Sequence, residues 1–389
     1  VDPIPTAPDV STNDPGALFN SAGDPVIPDY RGPNVTGLIP GIIGCEPGRR
    51  PAWFPEALQH ARQVVLLVLD GLGWNQLCAH RHRLATLASM EGGPITTVAP
   101  TTTATALTSI TTGLAPVEHG VVGYRVDLGG EVVNMLRWAT TAGDVRRRHR
   151  PDDIQPIRPF LGAAIPVVSK VELENSAFSE AHLRGSRPAG WRTVSGLAVE
   201  VGRQLRSGEP FVYAYYDGVD KIAHERGFGA FYEAELTTAD RLVGDILDQL
   251  VPGAALAVIA DHGQVHVGDA VITPDPEVLA LVHHQSGEGR FRWLHARAGA
   301  SGDLLAAAQA CHGDVAWVHT RDELLEARWF GSPISAPVAG RFGDIALVAR
   351  QPVSFDEPAD TGPFRLICRH GSMTADEVLV PLLAKQVTS

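Results

Sequence analysis

Three short apolar runs, each closing on a carboxylate, constrain this chain more than any other feature of its sequence. Residues 64–69 (VVLLVL) end in Asp70, residues 211–216 (FVYAYY) run into Asp217 and Asp220, and residues 255–260 (ALAVIA) end in Asp261 and His262. Runs of this length without polar alternation are the pattern of strands buried on both faces, and so of a mostly parallel sheet covered by helices. In open sheets of that kind, ligands bind beyond the carboxyl ends of the strands. One such Asp could simply cap the next helix. Three of them, two with a nearby His, point to a shared site. The fold class read from this pattern is α/β, a three-layer sandwich with a mostly parallel central sheet and helices on both faces.

At 389 residues the chain has room for one large domain with an insertion. Residues 1–60 are rich in Pro, Asp, Gly and Ser and read as an extended N-terminal arm, ordered in part by the apolar stretch 37–43. Residues 61–270 and 336–389 read as the core, and residues 271–335 as an inserted, smaller subdomain of mixed helix and strand. Further strands are expected at 164–169 and 343–349, the latter where the chain returns to the main sheet; 291–294 alternates apolar and basic once, too short a pattern to assign. No apolar run approaches the ~20 residues of a membrane-spanning helix. With 32 basic against 44 acidic residues, a net charge of -12 repels polyanions and argues against a nucleic-acid scaffold role. The basic run from Arg146 to Arg150 reads as a solvated helix end or loop. Four scattered cysteines without a CxxC pair read as chance buried thiols, which fit a reducing compartment. With no basic-then-apolar segment opening the chain, the expected location is cytoplasmic.

The segment with the most chemistry in it is 100–114. Ala104, Leu107, Ile110 and Leu114 recur at helical spacing, and Gly113 suits the helix C-terminus. The Thr run therefore sits at a helix start, where free N–H groups and the dipole favour an anion. By helix logic alone, capping is the better explanation of a Thr hydroxyl there. Asp220 and His224 are four residues apart and project from one face of a helical turn, a pair able to hold zinc or simply to hydrogen-bond. Asp261 and His262 follow a strand and precede Gly263, so a sharp turn can present both to one site. His370 precedes an apolar stretch near the C-terminus and is uninformative by itself.

Taken together the pieces resemble the alkaline phosphatase superfamily, and within it the nucleotide pyrophosphatase/phosphodiesterase branch. The resemblance covers roughly residues 62–270 and 340–385. It rests on Asp70-Gly71, on Pro100-Thr101-Thr102-Thr103, on Thr112-Gly113-Leu114 and on Pro116-Val117-Glu118-His119-Gly120. Asp220 with His224, Asp261-His262-Gly263 and His370-Gly371 complete the pattern in order. It implies an alkaline-phosphatase-like sandwich and hydrolysis of a phosphodiester or nucleotide pyrophosphate. Thr103 would be the nucleophile and pass through a covalent phospho-threonine. It also implies two divalent metal ions, zinc first, with manganese or iron able to accept the same groups. One would be held by Asp220, His224 and His370, the other by Asp70, Asp261 and His262 with the Thr103 oxygen. His119 becomes a structural residue. Ala106 departs from the pattern, which carries an Asn there. Tyr124, Arg125 and Lys170 are the residues that could bind the phosphate ester in its stead, with Arg125 favoured. The alternatives within the superfamily are a phosphomonoesterase or a phosphoryl-transferring mutase. A protein that binds metal and phosphate without turnover is the alternative outside it. Residues 103–107 lack the Cys/Ser-x-Pro-x-Arg motif of sulfatases.

Overall fold

The structure, a computed structural model, describes residues 23–359 and 365–387, so the first part of the expected arm lies outside the described residues. The apolar run 64–69 lies at the centre of a seven-stranded sheet. Across the sheet the strands are Glu91–Thr96, Leu379–Gln386, Ala254–Ile259, Gln63–Leu69, Phe211–Tyr216, Pro166–Val168 and Arg187–Pro188. Only Leu379–Gln386 runs against the rest. Every residue from Val64 to Leu69 and from Ala254 to Ile259 is buried, so both faces of these strands are covered. That is why their sequences show no alternation.

Pairing register explains why the carboxylates meet. Leu69 lies opposite Tyr216 and Val68 opposite Ile259, so the chain leaves the three strands side by side at Asp70, Asp217 and Asp261. One group of packed elements includes helix Thr103–Thr112 with Leu38–Ile43 and Ala177–Leu183; another pairs Val194–Arg206 with Ala230–Leu247. The stretch 37–43 is helical rather than extended. It buries Leu38, Ile39 and Ile42 against the core, and Phe54 and Leu58 follow them inward.

The strand expected at 343–349 forms at Ile345–Ala349, but not in the main sheet. It pairs with Phe291–Ala296 and Ala316–Thr320 in a separate four-stranded antiparallel sheet completed by Val282–Glu288. The excursion that leaves the core near residue 271 thus extends to Ala349, and the main sheet is rejoined by Leu379–Gln386. Pro381 in that strand lies opposite Pro94, beyond the Leu382–Ile259 pair that ends the other ladder. Its missing N–H therefore breaks no bond to Ala254–Ile259. A second small sheet, Arg125–Asp127 with Val132–Asn134 and two shorter strands, follows the segment 100–114. The basic run 146–150 is a turn in which Arg148 and His149 both pair with Glu131 and Arg150 pairs with Asp152. All four cysteines are free thiols, but only Cys368 is buried as expected; Cys45 is half-buried, and Cys78 and Cys311 lie exposed on helices whose inner faces are filled by other side chains. Among the described residues no helix is long and apolar enough to cross a membrane.

Candidate active site

Helix Thr103–Thr112 is buried along its whole length and ends on Gly113 in the left-handed conformation (φ 72°), as its sequence predicts. At its start, neither Thr102 nor Thr103 spends its hydroxyl on capping. Thr102 is the N-cap residue and makes no side-chain cap. The Thr103 Oγ1 lies 3.0 Å from His262 Nε2.

His262 Nε2 is also 3.3 Å from Asp261 Oδ2 and 3.5 Å from Asp70 Oδ1. Beside this group, Asp220 Oδ1 lies 3.2 Å from His224 Nε2 and 3.9 Å from His370 Nε2. The His262 and His370 rings stack at 3.6 Å, and His224 is 5.1 Å from His370. The structure therefore brings Asp70, Thr103, Asp220, His224, Asp261, His262 and His370 to one locus at the sheet edge. The tightest donor sets are Asp70, Asp261 and His262, and Asp220, His262 and His370, so His262 stands in both. The grouping expected from sequence put His224 where His262 stands in the second set. His224 is the outermost of the three rings, its Nε2 3.2 Å from Asp220 Oδ1.

All three imidazoles are held the same way. Nδ1–H donates to a backbone carbonyl: to Cys368 at 2.6 Å from His224, to Gly263 at 3.1 Å from His262, and to Thr101 at 2.7 Å from His370. A carbonyl can only accept, so Nδ1 carries a proton in each ring and Nε2 is the nitrogen turned toward the carboxylates. Metal-ligating histidines are oriented by such partners. The loop that carries His370 is further fixed by Thr101, whose Oγ1 donates to Ser372 O and accepts from Gly371 N, both at 2.9 Å.

Electrostatically the cluster is incomplete as a set of side chains. The ion pairs of Asp70, Asp220 and Asp261 are all to histidines among the described residues. Asp70 Oδ1 and Asp261 Oδ2 are buried and accept no hydrogen bond. Burial pushes the Asp70 carboxyl well above the usual carboxylate range, and the charges of Asp261 and Asp220 push it further. Burial likewise raises Asp220, while the same desolvation, with His262 and His224 beside it, depresses His370. Acids that resist ionising beside the His370 imidazole, which resists protonation, suit a site that binds a cation. Ligand atoms at 2.0–2.2 Å from one tetrahedral zinc would stand about 3.3 Å apart, which the His262 separations match. The donor chemistry and the two unpaired oxygens fit divalent metal ions.

Backbone supports this crowding. Gly71 has φ +76°, and a Cβ there would lie 2.9 Å from the Asp220 Cβ and 2.7 Å from Gln264 Nε2. That Gln264 amide in turn donates to Asp220 Oδ1 at 2.7 Å. Tyr215 donates its hydroxyl to Asp70 Oδ2, and the Gly71 N–H donates to Asp261 Oδ1 at 3.1 Å.

A cavity of about 260 Å³ opens beside Thr103. Leu107, Leu136, Leu173, Phe178 and Leu183 give it an apolar wall, and Asp70, Asp217, Asp220 and Lys221 line its polar end. Phe178 stacks on His182 at 4.0 Å. Leu136, Leu173, Phe178 and Leu183 carry no motif and were not legible as site residues. Asp217 closes the third strand but is not part of the cluster. Burial raises its carboxyl, yet hydrogen bonds from Lys170 and Lys221, each at 2.5 Å, outweigh that and hold it below the usual range. Lys170 thus stands behind the cavity's Asp217. Arg125 is elsewhere: it is buried, pairs with Glu357 and lines a different cavity, so the structure does not bring it to Thr103. Tyr124 immediately precedes it, its carbonyl bonded to Met135 N at 2.8 Å. His119 is fully buried, with its Nδ1 accepting from Val121 N at 3.1 Å and Ser109 Oγ 2.8 Å from its Nε2.

A mostly parallel sheet whose strand ends gather Asp and His around a helix-start hydroxyl defines a metal-dependent hydrolase of the alkaline phosphatase superfamily. Within it, the sequence model of type I phosphodiesterase / nucleotide pyrophosphatase matches residues 64–163 and 169–373, and the chain belongs to that family. No curated protein matches it in sequence. Human ectonucleotide pyrophosphatase/phosphodiesterase 5 superposes with a TM-score of 0.62 at 15% identity, over 82% of this chain and 87% of its own. Its murine counterpart, in an inactive form in complex with AMP, gives 0.60 at 14% identity, over 83% and 87%. Phosphonoacetate hydrolase from Sinorhizobium meliloti, in complex with phosphonoformate, gives 0.59 at 18% identity, over 88% and 93%. At these identities the likeness is one of fold.

Proposed function

We propose that this chain hydrolyses a phosphodiester or nucleotide pyrophosphate, with Thr103 as nucleophile through a covalent phospho-threonine. The observation that carries the reading is the Thr103 hydroxyl at the start of a buried helix, 3.0 Å from His262 Nε2, beside the unpaired oxygens of Asp70 and Asp261. Asp220, His224 and His370 would hold one divalent cation, and Asp70, Asp261 and His262 the other, zinc being the metal these donors suit best. Bound there, the pair would supply the positive charge that a threonine alkoxide and the phosphoryl oxygens need near neutral pH.

The chain's own residues do the rest. The helix start directs backbone N–H groups at an incoming anion. The Thr103 oxygen forms a bond to phosphorus as the bond to the leaving alcohol or phosphate breaks. Water then cleaves the phospho-threonine, restoring the hydroxyl and releasing a phosphate monoester. The apolar wall of Leu107, Leu136 and Phe178 supports a substrate with an organic group on phosphorus. Lys221, with Lys170 behind it, is the cationic group nearest that end, and both take precedence over Arg125 as phosphate-binding residues.

Rates of the zinc-loaded protein on bis-(p-nitrophenyl) phosphate and on p-nitrophenyl phosphate test the reading. The diester is expected to turn over faster, and Thr103→Ala to lose at least about 100-fold in kcat, the scale of an activated nucleophile's contribution. A Thr103→Ala protein as fast as the parent would overturn the nucleophile. A clear preference for the monoester would assign a phosphomonoesterase instead.

A further inference from the structure

Away from Thr103, the sheet that follows the nucleophile segment meets the inserted sheet through three side chains that no part of the mechanism uses. Asp127 closes the strand Arg125–Asp127. His284 and His295 are direct cross-strand partners on the antiparallel strands Val282–Glu288 and Phe291–Ala296. That register stacks their rings at 3.9 Å with an angle of 17° between planes. Both turn a nitrogen to the same oxygen. Asp127 Oδ2 lies 2.7 Å from His284 Nε2 and 3.6 Å from His295 Nδ1.

Hydrogen bonding alone satisfies only half of this arrangement. The His284 contact is a good hydrogen bond, but 3.6 Å is too long for one, so His295 Nδ1 faces a carboxylate oxygen without bonding to it. The other carboxylate oxygen, Oδ1, is already taken by the Gly130 N–H. On the far side of the His295 ring, Ser286 Oγ lies 2.8 Å from Nε2 and sets the ring's orientation, as partners behind metal-bound imidazoles do. Donor atoms around a tetrahedral zinc stand about 3.3 Å apart; the 3.6 Å separation lies near that value, and the 2.7 Å contact would open to it as the ion replaces the proton between His284 and Asp127. The three ligand atoms all lie within 4.8 Å of one another.

We propose that Asp127, His284 and His295 form a third metal site, separate from the Thr103 cluster, for a divalent cation of zinc's class. Its protein ligands number three, and His284 lines a cavity of about 530 Å³, so the fourth position opens toward water or a small anion from that cavity. Asp127 belongs to the ribbon after the nucleophile segment, whereas both histidines belong to the inserted sheet. The cation therefore clamps the insertion onto the core, and the site's role is to fix that junction rather than to turn over substrate.

The test is metal content per chain by mass spectrometry after zinc loading and removal of excess ion, comparing the parent with His284→Gln/His295→Gln. The expected result is a loss of one equivalent in the variant, with diester hydrolysis retained and the zinc-induced rise in Tm reduced. Asp70→Asn in the other cluster should leave the equivalent at Asp127 in place, which separates failure of this site from failure of the proposed hydrolase. An unchanged zinc content in the double variant would overturn the proposal. If that variant does not fold, anomalous scattering at the zinc edge from parent crystals decides. A peak among Asp127, His284 and His295 supports the site, and its absence there rejects it.

Discussion

Replacing Glu377 by Gln should be among the most damaging isosteric changes available in this protein. Glu377 and Arg290 are both wholly buried and meet through two hydrogen bonds, Nε to Oε1 and Nη2 to Oε2, each 2.8 Å. Oε1 also accepts from Ser372 N at 2.9 Å and Oε2 from Thr374 Oγ1 at 2.6 Å. Arg290 spends its remaining N–H groups on the carbonyls of Gln351, Val353 and Ala349. The pair therefore joins a tight turn of the inserted sheet to the loop that carries His370. Glu377→Gln keeps the shape but leaves a guanidinium buried without a counter-charge, a loss of about 3–5 kcal/mol. Arg290→Met should cost a similar amount by stranding the carboxylate. Arg290→Met/Glu377→Met removes both charges, so neither is stranded, and leaves the Ser372 N–H, the Thr374 hydroxyl and the Gln351 and Val353 carbonyls each short of a partner, at about 1–3 kcal/mol for each that finds no substitute. The double variant should thus be several kcal/mol more stable than the sum of the singles. Urea unfolding followed by tryptophan fluorescence measures all three. Because Ser372 sits two residues from His370, zinc affinity at the Thr103 cluster should also fall, by about 10–100-fold for a disturbed ligand support. The reasoning fails if Glu377→Gln unfolds within about 1 kcal/mol of the parent, or if the double variant loses the full sum.

Two further outcomes follow from groups described above. His119 is held neutral by burial, with Arg341 adding to the effect, and its pKa falls to about 3. The unfolded chain takes up a proton there below about pH 6.5 while the folded chain refuses it, so this contribution is complete above pH 6.5 and is lost as pH falls toward 3. Between pH 6.5 and 5 the parent should lose about 2 kcal/mol more stability than His119→Asn, and parallel stability–pH curves for the two would refute that origin. Phe178→Leu keeps an apolar wall but removes the ring face, and KM for an aryl or nucleoside diester should rise about two- to tenfold, from a stacking contribution of about 0.5–1.5 kcal/mol, with little change in kcat. An unchanged KM would place the substrate's organic group outside this cavity.

Legibility in the sequence followed the range of the interactions involved. The central strands and their closing aspartates were readable because burial on both faces leaves an unbroken apolar run, and parallel register then aligns the ends. The helix at Thr103 was readable from periodicity and Gly113. The strand Glu91–Thr96 was not, because Gly92, Gly93 and Pro94 argue against one, and an edge position tolerates them. Ile345–Ala349 reads as a main-sheet strand because burial looks the same in either sheet; only pairing partners tell them apart. Arg125 looked available because its neutralising Glu357 is far away in sequence. Asp217 looked equivalent to Asp70 until Lys170 and Lys221 were seen around it. The nearness of His284 to His295 needed the hairpin register, which composition does not carry.

The placement of Leu379–Gln386 between Ala254–Ile259 and Glu91–Thr96 has a consequence for how the molecule is made. Until that segment leaves the ribosome, Glu91–Thr96 has no neighbour in the sheet and Ala254–Ile259 presents an open edge, the surface on which nascent chains stick to one another. Its ladders join residues nearly three hundred positions apart in the case of Thr96 and Leu379, so closure is slow as well as late. A chaperone that shields Ala254–Ile259 during synthesis would be expected to raise the yield of soluble protein more than one that acts on the finished chain.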